Sequence, residues 1–103
     1  MKSTTPFAGL EPAAFWEYFS QLCAIPHGSH NCQAISRYLA DFAQSHGLRH
    51  IRDSANNVVI FAPGTPGYED HPPVILQGHM DMVCQKDTDC QKDLSVDPIE
   101  PVV

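Results

Sequence analysis

Residues 74–86 of the chain read VILQGHMDMVCQK, and from them we predict both a class of fold and a functional site. It begins with the continuous apolar run Val74-Ile75-Leu76, which is typical of an interior strand covered on both faces. Gln77-Gly78 then ends the strand, and the chain becomes polar. Because ligands bind beyond the carboxyl ends of strands in open α/β sheets, the sequence predicts a site directly after this strand.

The sequence predicts a helix near the start of the chain. It opens at Glu11-Pro12, with Pro12 at the first helical position, and it ends before Pro26, which disfavours the α conformation at the preceding residue. Apolar residues at spacings of four, three and one predict a single buried face. That face consists of Phe15, Phe19, Leu22 and Cys23.

A second helix is predicted after the turn at 26–29. Ser29 or Asn31 would cap its free N–H groups, and Gly47 would end it, because glycine enters the left-handed conformation without strain. Its expected buried face is Ile35, Leu39 and Phe42.

Two short strands, 48–53 and 58–62, are predicted as a hairpin around the turn 54–57, and a polar surface loop then leads to the buried strand. Two helices, a hairpin and a buried strand predict an α/β sandwich. At 103 residues the chain is one domain or part of one. It ends at residues 101–103 without a cap or turn, so we expect an interrupted domain.

Composition excludes several classes of function. With 43% hydrophobic and 17% charged residues, no apolar run of about 20 residues and no secretory signal, we expect a cytoplasmic protein without a membrane helix. The net charge of −6 and only six scattered Lys and Arg argue against nucleic-acid binding. The four cysteines are expected to be free thiols, and a zinc site built on Cys84 and Cys90 is disfavoured by their spacing.

His79 and Asp81 are the candidate site residues. In extended backbone, residues two apart project to the same side, so the carboxylate can accept the imidazole Nδ1–H and leave Nε2 for a metal ion. The alternative is that His-x-Asp is two polar loop residues, or an Asp that caps a helix. The other histidines, interpreted as structural or exposed, are His27, His30, His46, His50 and His71.

The segment 77–86 closely resembles the metal-site segment of aminoacyl-histidine dipeptidases, also called cytosol non-specific dipeptidases. The likeness extends to Ile25-Pro26-His27 with Ser29-His30, to Asn57-Val58-Val59-Ile60 and to Asp97-Pro98-Ile99. The chain departs from relatives at Asn31 and Cys32, where they tend to have acidic residues, and at Asn56, where they tend to have glycine.

The resemblance implies the N-terminal part of an α/β/α zinc-exopeptidase catalytic domain, with residues 1–103 as a truncated segment of it. It implies two zinc ions, or other divalent metals, and a metal-activated water that hydrolyses Xaa-His and other dipeptides. His79 would be a zinc ligand, and Asp81 the active-site carboxylate that orients it. The parent protein would bind a dipeptide, neither nucleic acid nor membrane, with a homodimer as one option for its assembly.

The remaining metal ligands and the general base would come later in such a protein, so these 103 residues alone are expected to be inactive and to bind zinc weakly. The alternative is a non-catalytic binding domain, or a decayed-gene remnant of the same fold.

Overall fold

A computed structural model describes residues 6–103 of the chain. Its elements, in chain order, are the helices α1 (Ala13–Cys23) and α2 (Gln33–Ser45) and the strands β1 (Arg49–Arg52) and β2 (Val58–Phe61). The chain divides into two compact units: one holds the residues up to Ile35 together with Asp81–Val103, and the other is Ser36–Met80. That residues 1–103 form one piece of a catalytic domain stays a prediction.

In the first unit, α1 begins one residue later than predicted. Pro12 is its N-cap, with extended backbone at φ −73° and ψ 133°, rather than its first helical residue. The Ala13 N–H, which has no partner within the helix, donates to the Glu11 carboxylate at 3.2 Å.

No helix among residues 6–103 is long and apolar enough to cross a membrane.

The buried face predicted for α1 is only partly correct. Phe7, 6% exposed, stacks on Trp16 with ring centroids 4.8 Å apart and meets the edge of Phe19 at 5.6 Å. Cys23 is buried, but Phe15 is 56% exposed. The prediction of a buried face is therefore wrong at Phe15 and weak at Phe19, because helical periodicity marks an apolar face without supplying the segment that covers it.

The chain's last segment binds the end of α1. The Ile99 N–H donates to the Cys23 carbonyl at 3.0 Å, which satisfies one of the carbonyls left open at the helix C-terminus. The Lys92 ammonium donates to the Pro98 carbonyl at 3.0 Å and to the Glu100 carboxylate at 2.8 Å. These bonds close residues 92–100 into a loop held beside α1.

The predicted end of α2 is confirmed in detail. Gly47 has φ +67°, its N–H donates to the Gln44 carbonyl at 3.0 Å, and the Leu48 N–H donates to the Ala43 carbonyl at 2.8 Å. This pair of bonds is the Schellman motif, which requires a left-handed residue at the glycine position.

The start of α2 differs from the prediction. The helix begins at Gln33, so Ser29 and Asn31 lie too early to cap it. Their side chains bind elsewhere: the Ser29 hydroxyl donates to Asp81 at 2.7 Å and the Asn31 amide to the Ser95 carbonyl at 3.0 Å. The capping prediction is wrong because partners distant in sequence compete for these polar groups.

The predicted hairpin is confirmed, with each strand slightly shorter than expected. β1 and β2 pair antiparallel, with Arg49 opposite Phe61 and Arg52 opposite Val58. At the turn, the Asp53 carboxylate accepts the N–H groups of Ala55 and Asn57, each at 2.9 Å. Asn56 takes φ +69°, a conformation that asparagine tolerates better than most residues.

Two arginines of the hairpin make specific side-chain contacts in the second unit. Arg52 Nε donates to the hydroxyl of the fully buried Ser36 at 2.8 Å. A buried hydroxyl needs such a partner, since an unsatisfied one costs roughly 1 to 3 kcal/mol. The Arg49 guanidinium lies 3.8 Å from the ring centroid of Phe61, a cation–π contact across the strand pair.

The interior strand predicted at Val74-Ile75-Leu76 is not formed. The three side chains are 84%, 85% and 94% exposed, and the segment has no regular secondary structure. A strand needs neighbours for its backbone groups and layers for its faces, whereas the sheet formed by residues 6–103 contains β1 and β2 alone. The overall α/β prediction holds, and this element of it is wrong for the chain by itself.

We predict that Gly47→Ala destabilises the chain by about 1 kcal/mol. A Cβ at Gly47 meets no atom within 4 Å, so the cost comes from the left-handed backbone alone. Urea unfolding of the 103-residue chain, followed by circular dichroism, measures it. Gly78→Ala is the matched control, because its surroundings are equally open and its φ is not left-handed; an equal loss in both variants would contradict the prediction.

We also predict that Asp53 makes the chain's stability depend on pH. Hydrogen bonds, first from the Asn57 side chain and then from backbone N–H groups, lower the pKa of Asp53 below its ordinary value. The contribution of the Asp53 carboxylate to the free energy of unfolding is therefore complete above about pH 4, the pKa in the unfolded chain. It is lost as the pH falls through the lower pKa of the folded chain.

The measurement compares thermal unfolding of wild type and Asp53→Asn between pH 6 and 2. The difference in stability between them should be largest at pH 6 and shrink at the acid end. A difference that does not change with pH would refute this role of the carboxylate.

Candidate functional site

The segment 81–84 is held against the turn that follows α1. The Met82 N–H donates to the His27 carbonyl at 3.0 Å, and the Ser29 N–H donates to the Met82 carbonyl at 3.1 Å. The two bonds form a parallel bridge between Gly28 and Met82. Residues more than fifty positions apart are thus joined through backbone, in the first unit.

Asp81 is tied to the same turn by its side chain. Its Oδ2 accepts the Ser29 hydroxyl at 2.7 Å, the usual length for an O–H···O bond. Asp81 is half-buried, whereas Ser29 is exposed. Ser29 therefore binds the 81–82 segment twice, once through its N–H and once through its hydroxyl.

The turn itself has a constrained shape. The Asn31 N–H donates to the Gly28 carbonyl at 2.9 Å, and His30, at the third position, has φ +67°. A positive φ at that position is a feature of type II turns, where glycine or asparagine is usual. The turn places Ser29 at its second position, beside Asp81.

Gly28 is needed for the close approach of the two segments. A Cβ built on Gly28 would overlap the Cys84 sulfur, while the Cys84 Cβ would lie at 3.9 Å, ordinary contact. The obstacle is therefore a single sulfur atom. Gly28 is buried and Cys84 is exposed.

Of the predicted pair, His79 is exposed and belongs to the second unit, while Asp81 belongs to the first. That Asp81 accepts the His79 imidazole N–H stays a prediction. Val83, which follows Met82 in this segment, is 70% exposed. Met82 is half-buried.

The donor set fits part of a zinc site. An imidazole with a carboxylate two residues on suits one ligand and its supporting group, and zinc needs three or four ligands. Within residues 6–103 no three His, Cys, Asp or Glu side chains are grouped closely enough to hold a metal ion. A complete zinc site does not fit these residues.

The other histidines have local contacts that fit structural roles. His27 Nδ1 lies 2.6 Å from the Ile25 carbonyl and must carry the hydrogen, since a carbonyl only accepts. His46 Nδ1 lies 2.9 Å from the Phe42 carbonyl, and its ring packs at 4.2 Å on that of Phe42. His50 Nδ1 lies 3.2 Å from the Leu48 carbonyl, and His71 packs against Tyr68.

The four cysteines are free, as predicted. Burial raises the pKa of the Cys23 thiol, which keeps it protonated and less nucleophilic at neutral pH. The sequence-based choice of ordinary thiols over a disulfide framework is confirmed.

Two open cavities border these elements, besides a very small one of about 10 Å³ between the turn and Met82. The larger, about 930 Å³, lies in the second unit between 46–49 and 61–74, and contains neither His79 nor Asp81. The smaller, about 380 Å³, lies in the first unit and is lined by Ser29, Cys84 and Lys86 among others. The smaller cavity lies beside the turn that holds Asp81, but neither Asp81 nor His79 lines it, so neither of these two cavities marks the candidate site.

The chain is similar to two proteins that are both named as dipeptidases. It is 38% identical over 94 residues to the cytosol non-specific dipeptidase of Escherichia coli (strain K12), an alignment that covers 91% of this chain and 19% of that protein. Its structure is similar to that of the aminoacylhistidine dipeptidase from Vibrio alginolyticus, with a TM-score of 0.87 and 39% identity. That match covers 97% of this chain and 20% of the other.

No family model matches the chain. It spans about a fifth of the length of both relatives. The predicted resemblance to aminoacyl-histidine dipeptidases is confirmed, and the fold is that of a partial α/β domain.

Sequence reasoning missed the contact between Ser29 and Asp81. The sequence predicts only a helix cap at Ser29, and nothing in its neighbours along the chain indicates a partner 52 positions away. The one available signal was that both the 25–30 segment and the 77–86 segment carry the resemblance to dipeptidases.

We predict that Gly28→Ala destabilises the chain by about 1 kcal/mol, the low end of the overpacking range, because the exposed Cys84 side chain can rotate aside. Cys84→Ala removes the sulfur and should restore most of that loss in the double variant. Urea unfolding of the wild type, both single variants and the double variant gives the coupling. Strictly additive losses would contradict the proposed overlap.

Proposed function

We propose that this chain is part of a dipeptidase that uses zinc. The observation that carries the proposal is 38% identity, over 91% of the chain, to a non-specific dipeptidase. The structural match at 39% identity, to an aminoacylhistidine dipeptidase, supports the same chemistry. The names of both relatives lead us to propose dipeptides as substrates, and the name of the Vibrio alginolyticus enzyme adds those with a C-terminal histidine.

Within this proposal, His79 supplies one metal ligand and Asp81 supports it. Neutral imidazole binds zinc through one ring nitrogen, and a carboxylate that accepts the other N–H selects the tautomer and raises the basicity of the ligand. The two-residue spacing of His79 and Asp81 in the sequence supports these roles. When bound, zinc polarises the scissile carbonyl and lowers the pKa of a bound water.

The remaining ligands are proposed to come from parts of the enzyme other than residues 6–103. The absence of a three-residue donor cluster in that range, together with coverage of about a fifth of each relative, supports this division. We accordingly propose that the 103-residue chain alone does not hydrolyse dipeptides. A cytoplasmic location is proposed from the name of the Escherichia coli relative.

We predict that the complete enzyme hydrolyses Xaa-His dipeptides and loses this activity on exhaustive chelation of metal. His79→Ala should abolish activity, and Asp81→Asn should weaken zinc affinity roughly 10- to 100-fold, as for other groups that orient a ligand. Hydrolysis is measured by release of free histidine, and zinc affinity by competition with a chelator. His71→Ala, at an exposed loop histidine, is the matched control and should remain active.

The outcomes separate the parts of the proposal. Activity that survives chelation would exclude the zinc assignment. Absence of dipeptide hydrolysis by the complete protein would favour a non-catalytic domain, and hydrolysis by the isolated 103-residue chain would refute the division of the site.

A further inference from the structure

The hydrogen bond from the Ser29 hydroxyl to Asp81 is not needed to join the two backbone segments. The turn at 27–29 and the segment at Asp81-Met82 are already joined by two backbone hydrogen bonds, of 3.0 and 3.1 Å. The hydroxyl bond of 2.7 Å between Ser29 and Asp81 is additional to both. The hydroxyl bond therefore sets the orientation of the Asp81 carboxylate, while the backbone bonds join the segments.

The geometry of the turn makes this bond directional. Ser29 has its backbone N–H bound to the Met82 carbonyl, so the Cα of Ser29 is held next to the residue that follows Asp81. From there its short side chain reaches Oδ2 of Asp81 with only χ1 left to adjust. An aspartate side chain rotates about two bonds, and a hydroxyl donor held by backbone restricts both.

A carboxylate that supports a histidine ligand of a metal must itself be held in one orientation. Partners of ligating histidines act by holding the imidazole in one tautomer and one orientation, and they are themselves held by further hydrogen bonds. Each carboxylate oxygen accepts more than one hydrogen bond, so the bond from Ser29 does not exhaust the acceptor capacity of Asp81.

We infer that Ser29 is a positioning residue: its hydroxyl holds the Asp81 carboxylate in the orientation from which it supports the ligand His79. The inference rests on the proposed function. It extends the site to a residue on the turn after α1, in a segment for which only structural roles were expected.

The first measurement needs no metal. In the isotopically labelled 103-residue chain, three-bond couplings to Cγ of Asp81 report whether its χ1 occupies one rotamer or several. Wild type and Ser29→Thr, which keeps the hydroxyl, should show one rotamer, and Ser29→Ala should show averaging. Ser95→Ala is the matched control, since it removes another exposed hydroxyl that donates to a carboxylate, that of Asp93 at 2.6 Å.

The second measurement is zinc affinity of the complete enzyme, by competition with a chelator. Ser29→Ala should weaken zinc binding up to about tenfold, less than Asp81→Asn, because it acts one bond further from the metal. Ser29→Thr should retain the wild-type affinity. In an Asp81→Asn background, Ser29→Ala should have no further effect if it acts through that carboxylate.

An Asp81 rotamer unchanged in Ser29→Ala would overturn the inference, as would losses of zinc affinity that multiply in the double variant. Failure of the wild-type enzyme to bind zinc would instead overturn the proposed metal function, whatever the rotamer of Asp81. The two failures are therefore distinguishable.

Discussion

The parallel bridge between Gly28 and Met82 is the interaction on which the arrangement of the candidate site depends. It joins the turn after α1 to a segment more than fifty residues later, and so closes a long loop whose entropy cost grows only slowly with length. The buried Gly28 permits the approach because the Cys84 sulfur lies where a side chain would be. Once the backbones are joined, the Ser29 hydroxyl and the Asp81 carboxylate are brought within 2.7 Å.

The exposure of apolar side chains in both units shows how much of its own apolar surface this chain buries. Phe7 and Cys23 are covered, yet Phe15 and the run Val74-Ile75-Leu76 in the other unit are largely exposed. Contiguous exposed apolar residues of this kind are uncommon on a monomeric protein and are typical of surfaces that make contacts. This agrees with a chain that spans about a fifth of the relatives it matches.

The chemistry assigned to the site follows from a short series of contacts. Backbone bonds hold Ser29, Ser29 holds Asp81, and Asp81 is proposed to support His79. Each step reduces the freedom of the next group, so that the charge of the carboxylate is held in one direction. A loop histidine with an unrestrained carboxylate nearby would be a poor start for a metal site, since the ligand's tautomer and orientation would not be selected.

Features encoded within a few residues were predictable from the sequence. Gly47 as the end of α2, and the turn closed by Asp53, depend on conformational preferences and hydrogen bonds that act over five residues or fewer. The position of the helices and of the hairpin followed for the same reason. The exposure of Val74-Ile75-Leu76 depends on tertiary structure, because burial requires other segments. The bond from Ser29 to Asp81, in place of a cap on α2, depends on it too, because this bond exists only after distant backbone has paired.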